Sequence, residues 1–123
     1  MRVLPDDKVH RRDERIEVQV SGIAQRSLVM FNIAGDGTVQ DLYPRGSDKR
    51  IIDTADFKLE MKVSEPFGAD QVFAISSTQR LGDLEEALKK VSQLRKPVEI
   101  FKLVERLAPS DASIGAAGLY TAP

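Results

Sequence analysis

Ser27-Leu-Val-Met-Phe-Asn-Ile-Ala34, Gly35-Asp36-Gly37 and Thr38-Val-Gln-Asp-Leu-Tyr-Pro44 read in succession as two β-strands closed by a tight turn. The first strand is almost continuously apolar, the pattern of a central strand covered on both faces. Gly35-Asp36-Gly37 supplies residues that tolerate positive φ, which tight hairpin turns require. On the return strand Val39, Asp41 and Tyr43 share one face and Thr38, Gln40 and Leu42 the other, a mixed pattern with no clean apolar side. Pro44 ends it, because proline cannot donate to a ladder.

The flanking sequence extends this reading. Upstream, Ile16, Val18 and Val20 alternate with Arg15, Glu17 and Gln19, the period of two of a half-buried strand. Downstream, Arg45 to Thr54 is loop-like. Phe57, Leu59, Met61 and Val63 then alternate with Lys58, Glu60 and Lys62, the cleanest amphipathic strand in the chain. Glu65-Pro66-Phe67-Gly68 turns the backbone, and Gln71-Val-Phe-Ala-Ile-Ser76 has the composition of a buried strand. From Leu81 the period changes: Leu81, Leu84, Leu88 and Val91 fall at helical spacing. Asp83 followed three residues later by Glu86 resembles a capping box. Glu85/Lys89 and Glu86/Lys90 are spaced as i,i+4 ion pairs. Pro97 opens a second helix with Ile100, Phe101, Val104 and Leu107 on one face, and Pro109 stops it. Residues 110–118 read as small and flexible, with a short last strand over Gly118-Leu-Tyr-Thr121.

Strands first and helices later predict an α+β fold. The expected form is an antiparallel β-rich, sandwich-like sheet with one or two helices from the C-terminal half packed on it. Residues 1–13 read as a polar lead-in segment and residues 14–123 as a single domain. At 123 residues, two full cores would not fit. Eighteen basic and nineteen acidic residues leave a formal charge of -1, so no broad field favours nucleic acid or an anionic membrane. The absence of cysteine removes disulfides, thiolate metal sites and cysteine nucleophiles. No apolar run is long enough to span a bilayer. The N-terminal residues lack the apolar core of a signal peptide, so any export signal of a parent protein lies outside this chain.

At Val29-Met-Phe-Asn-Ile-Ala-Gly-Asp-Gly-Thr-Val-Gln-Asp-Leu-Tyr-Pro44, followed by Pro66-Phe-Gly68 and Val72-Phe-Ala-Ile-Ser-Ser77, the chain resembles a bacterial domain family of unknown function. That family commonly stands C-terminal to caspase-like peptidase domains and also accompanies envelope or signalling modules. The resemblance spans roughly residues 14–94. It implies an excised accessory domain of a larger bacterial protein, whose partner is an attached or associated peptidase domain, or a peptide or protein ligand. The family has no established catalytic residues to carry over. A caspase-like centre needs a His/Cys pair, and this chain has no cysteine.

The residues that suggest chemistry have plainer readings. Gly35-Asp36-Gly37 lacks the lysine and hydroxyl residue of a phosphate loop and leads into a strand. Asp36, Asp41, Asp48, Asp53 and Asp56 do not have the spacing of a calcium loop and read as solvated loop aspartates. His10, the sole histidine, sits beside Arg11 and Arg12 and reads as a tail residue. Lys89, Lys90, Arg95 and Lys96 are offset by Glu85, Glu86 and Glu99 and read as a solvated helix surface. Phe67 with Gly68 is either a plug under a turn or an exposed anchor for a partner. Tyr43 with Pro44 carries the same two readings. The expectation is a non-catalytic interaction module with no cofactor and no metal, whose candidate contact residues are Tyr43, Pro44, Phe67 and Gly68. The alternatives are a structural or oligomerising domain and, third, a hydrolase or metal-binding protein built on the aspartates.

Overall fold

The computed structural model describes residues 1–6 and 8–123; Asp7, within the lead-in segment, lies outside the described residues. Nine strands and two helices are described: β1 Arg2–Leu4, β2 Val9–Arg11, β3 Arg15–Ser21, β4 Arg26–Ile33, β5 Val39–Tyr43, β6 Ile51–Ile52, β7 Asp56–Lys62, β8 Gly68–Ser77, α1 Gly82–Val91, α2 Pro97–Leu107 and β9 Ser113–Ala122. They form three layers. A three-stranded sheet in the order β1-β3-β7 faces a larger sheet in the order β2-β9-β8-β4-β5, with β6 also paired to β4. The two helices cover part of the far side of that larger sheet. The α+β class is as expected.

Burial on both faces explains the apolar run in β4. Leu28 and Met30 join Val18, Val20, Val72 and Leu119 in a core between the sheets. Val29 and Phe31 turn the other way, into a second core with Ile75, Leu84, Leu88 and Ile100. Alternate residues of one strand therefore serve different cores, and no polar alternation is available. In β7 only one face meets the core, so Phe57, Leu59 and Met61 alternate with exposed Lys58, Glu60 and Lys62.

The central hairpin forms as read. Ala34 N–H donates to the Thr38 carbonyl and Gly37 N–H to the Ala34 carbonyl, both at 2.9 Å. The mixed pattern of β5 has a local cause. Met30 pairs with Tyr43 but Phe31 pairs with Asp41, so Leu42 is the extra residue of a β-bulge. The bulge changes which side the strand presents: Val39 enters the helix-side core and Tyr43 the inter-sheet core.

Both helices follow their apolar spacing. Leu84, Leu88 and Val91 are the buried residues of α1, and Ile100 and Val104 those of α2, which begins at Pro97. The capping-box expectation is corrected. Leu81 is the N-cap residue of α1 and no side chain caps it, so Asp83 lies inside the first turn. Glu85 pairs with Lys89 at 3.2 Å and with Arg50 at 2.8 Å, whereas Glu86 and Lys90 form no ion pair among the described residues.

Both chain ends depart from the sequence reading. The lead-in residues supply β1, antiparallel to β3, and β2, parallel to β9. His10 is buried, not a free tail residue. The stretch read as flexible with a four-residue strand is a ten-residue strand, paired with β8 from Ser113 to Thr121. Ala and Gly have little strand preference of their own. Here the long β8 partner supplies the template. Opposite Ala116 stands Phe73, whose ring lies 5.1 Å from that of Phe31 and 5.4 Å from that of Phe101.

Candidate functional site

The four candidate contact residues do not form one patch. Tyr43 is buried, its ring 4.7 Å from Phe57 and its hydroxyl donating to the Lys49 carbonyl. Pro44 is buried beside it. For this pair, plugging the turn is the reading that fits. Phe67 is half-buried against the inter-sheet core and lies 5.0 Å beneath the Arg12 guanidinium. Gly68, at φ 133°, opens β8, donates to Thr121 Oγ1 at 3.0 Å and abuts Gly35. Tyr43 pairs with Met30 in mid-β4, whereas Gly68 lies beyond the C-terminal end of that strand.

Of the five aspartates, Asp36, Asp41, Asp48 and Asp53 each have their own polar partners. Asp36 accepts from the Thr38 N–H and pairs with Arg95 at 3.1 Å. Asp41 accepts from Ser92, Asp48 from the Arg45 N–H, and Asp53 pairs with Lys49. Among the described residues no three His, Asp or Glu side chains are grouped so as to hold a metal ion.

Two features do stand out, and the first is an edge. Exposed strand edges invite further pairing and are usually covered or charged. The edge of β5 is covered: the linker between the helices donates from Gln93 N–H to the Val39 carbonyl and accepts the Val39 N–H at the Leu94 carbonyl. The edge strand β7 carries Asp56, Lys58, Glu60 and Lys62. Strand β9 carries no charge of its own, and although Met1 packs against Gly115 and Arg2, Asp6 and Lys8 stand near residues 118–120, its backbone edge is only partly paired. β2 pairs with it only at Tyr120–Ala122, leaving the outer edge of residues 113–117 without a backbone partner among the described residues. Its sequence, Ser-Ile-Gly-Ala-Ala-Gly-Leu-Tyr-Thr-Ala, contains no charge. On the helix side, Ile114 is 60% exposed and Tyr120 65% exposed, beside Val9 and with Phe101 on the neighbouring helix. The helices stop short of this end of the sheet, so an apolar strip faces solvent.

The second feature is a cleft of about 500 Å³ between the two sheets. Ile16, Leu42, Leu59, Met61, Val63 and Leu119 give it aliphatic walls, and Asn32, Gln40 and Asp70 supply polar groups within it. Asn32 Nδ2 donates to Gln40 Oε1 at 2.8 Å and to Asp70 Oδ2 at 3.1 Å. The other oxygen of Asp70 accepts the Gly35 N–H at 3.0 Å. Burial pushes the Asp70 carboxyl above its ordinary value; the Asn32 and Gly35 hydrogen bonds pull it back, and nearby Asp36 adds to the rise. Asn32 is 2% exposed, and its Oδ1 has no hydrogen-bond partner. Buried polar atoms are rarely left this way without a reason.

Neither feature was drawn from the sequence. A signal existed for each: one asparagine inside an apolar strand, one aspartate opening a buried strand, and ten residues without charge in a chain that is 30% charged. Among the described residues, no helix is long and apolar enough to cross a membrane. No family model, no curated protein and no solved structure matches this chain.

Proposed function

We propose that this chain is a non-catalytic recognition module that accepts an extended, uncharged segment of a partner polypeptide along the free edge of β9. The observation that carries the reading is the combination of an unpaired edge and a charge-free strand, in a fold whose β5 edge is covered and whose β7 edge is charged. Strand addition takes its affinity from backbone hydrogen bonds and its selectivity from side chains on alternate faces. Strand β2 already occupies the C-terminal end of the same edge, in parallel orientation, so an added segment would continue its line. The uncharged edge favours an uncharged occupant, because a charge placed against it would lose water without gaining a partner.

The resemblance to domains that accompany caspase-like peptidases supports placing the module in a larger bacterial protein, where the segment belongs to the attached or associated peptidase portion. An immunoblot of the source cells with an antibody against the domain is expected to show a band far above 13.6 kDa. The remainder of that polypeptide, expressed separately, should bind the domain, and Ala116→Lys should weaken binding at least about tenfold by charging the edge. A band at the size of the domain would overturn the accessory reading. Self-association of the isolated domain that Ala116→Lys abolishes would make a second copy the occupant and favour the oligomerising alternative.

A further inference from the structure

We propose that the cleft between the two sheets is a binding site for an alkylammonium group, its charged head held by Asp70, which the buried Asn32 amide orients, and its carbon stem lying along the aliphatic walls. This site shares Leu119 and Thr121 with β9 but not the unpaired edge of residues 113–117, and does not depend on that edge.

The polar groups are short of donors. Asn32 Nδ2 lies between two acceptors, Gln40 Oε1 and Asp70 Oδ2, which fixes the amide orientation and leaves Oδ1 as the atom without a partner. Asp70 has no cation within ion-pair distance among the described residues, although it is half-buried between sheets. Each of its oxygens accepts one hydrogen bond and retains a second lone pair. Although Lys62 and Arg45 line the same cleft, neither pairs with Asp70, whose spare lone pairs suit a compact cation with several N–H donors; an ammonium has three. At Asp70 and the Asn32 carbonyl oxygen a carboxylate or phosphate would face acceptors, not donors.

The remaining lining agrees in charge and shape. Asp48, Glu60, Glu65 and Asp70 stand against Arg45 and Lys62. Some of these have other partners: Lys62 pairs with Asp13, Glu65 with Arg12, and Arg45 donates to the Asp41 carbonyl. The balance around the cleft stays acidic. Leu42, Leu59, Met61 and Leu119 offer the apolar length that a butyl or lysyl stem would cover.

The chemistry has two sources, a free aliphatic amine or a lysine side chain of a polypeptide, and one experiment separates them. The intact 123-residue chain would be titrated by NMR with n-butylammonium, n-butanol and Nα-acetyl-lysine-N-methylamide, following the side-chain amides of Asn32 and Gln40. Saturable shifts centred on these amides are expected with butylammonium, with butanol at least about tenfold weaker. Comparable binding of the lysine derivative would identify a polypeptide lysine as the source, and weaker binding a free amine. Asp70→Asn should reduce butylammonium affinity at least about tenfold. Because that variant also disturbs the Asn32 contact, Met61→Arg serves as a second: Met61 is only half-buried, and a guanidinium there would compete for the site. Equal binding of butanol and butylammonium, absence of saturable shifts, or affinity unchanged in both variants would overturn the proposal.

Discussion

Gly35 and Gly68 meet backbone to backbone. A β-carbon built on Gly35 would lie 3.0 Å from the Gly68 Cα and 3.0 Å from the Ala69 nitrogen. The turn after β4 is thereby seated on the start of β8, and the Gly35 N–H reaches Asp70 Oδ1 from this position. The Gly-Asp-Gly turn and Pro66-Phe67-Gly68 are thus neighbours in space.

This contact predicts a contrast between glycines. Gly35→Ala must displace backbone rather than a flexible side chain, and should destabilise by about 1–3 kcal/mol. Gly82→Ala meets nothing within 4 Å and lies at the start of α1, so it should be neutral or stabilise by up to about 1 kcal/mol. Urea unfolding of the two variants checks both signs.

The helix layer should be divided by burial. Leu84→Ala and Ile100→Ala each remove a fully buried side chain and should cost about 2–5 kcal/mol. Phe101 is 45% exposed and touches the core through the edge of the Phe73 ring. Phe101→Ala should cost clearly less than either in the same unfolding assay, despite removing more atoms.

Asp111 gives an acid limb to stability. Hydrogen bonds from the Ser77 and Thr78 hydroxyls and from the Thr78 N–H, with Arg26 nearby, hold its carboxyl at about 2, below the ordinary 3.8. The unfolded chain therefore binds this proton first. The stabilising contribution is present above the ordinary value and is lost as pH falls through about 2. Asp111→Asn should flatten the pH dependence of unfolding in that window and leave its shape near neutrality unchanged.

His10 acts at a higher pH. Burial and the Lys8 charge lower its imidazole pKa from the ordinary 6.5, with Glu14 partly opposing them. Its folded pKa is depressed, so the unfolded chain takes up the proton first and stability declines as pH drops below about 6.5. As the sole histidine in the chain, His10 should account for most of the fall in melting temperature between neutral pH and the onset of carboxylate titration. His10→Leu should remove that step.

The legibility of each element followed the range of the interactions behind it. Alternation in β3 and β7, the hairpin turn, and the leucine spacing of α1 are local patterns produced by one-sided burial or by backbone geometry. They were readable without knowing the partners. His10 was misread because its burial comes from β2 pairing with a strand more than 100 residues away. The start of α1 was misread because Asp83 has capping chemistry, while the chain enters the helix two residues earlier.

By itself, the sequence determined the α+β class, the central hairpin, the amphipathic β7 and the two helices. Each depends on the order of apolar and turn residues along a short stretch. Only the tertiary structure decided that β9 is a full strand, that its edge is only partly paired, and that Asn32, Gln40 and Asp70 converge in one cleft. Those outcomes depend on register between distant strands and on how far the helices extend across the sheet. Small uncharged residues such as Gly115, Ala116 and Ala117 adopt the conformation their neighbours impose, so their role became visible only once β8 lay beside them.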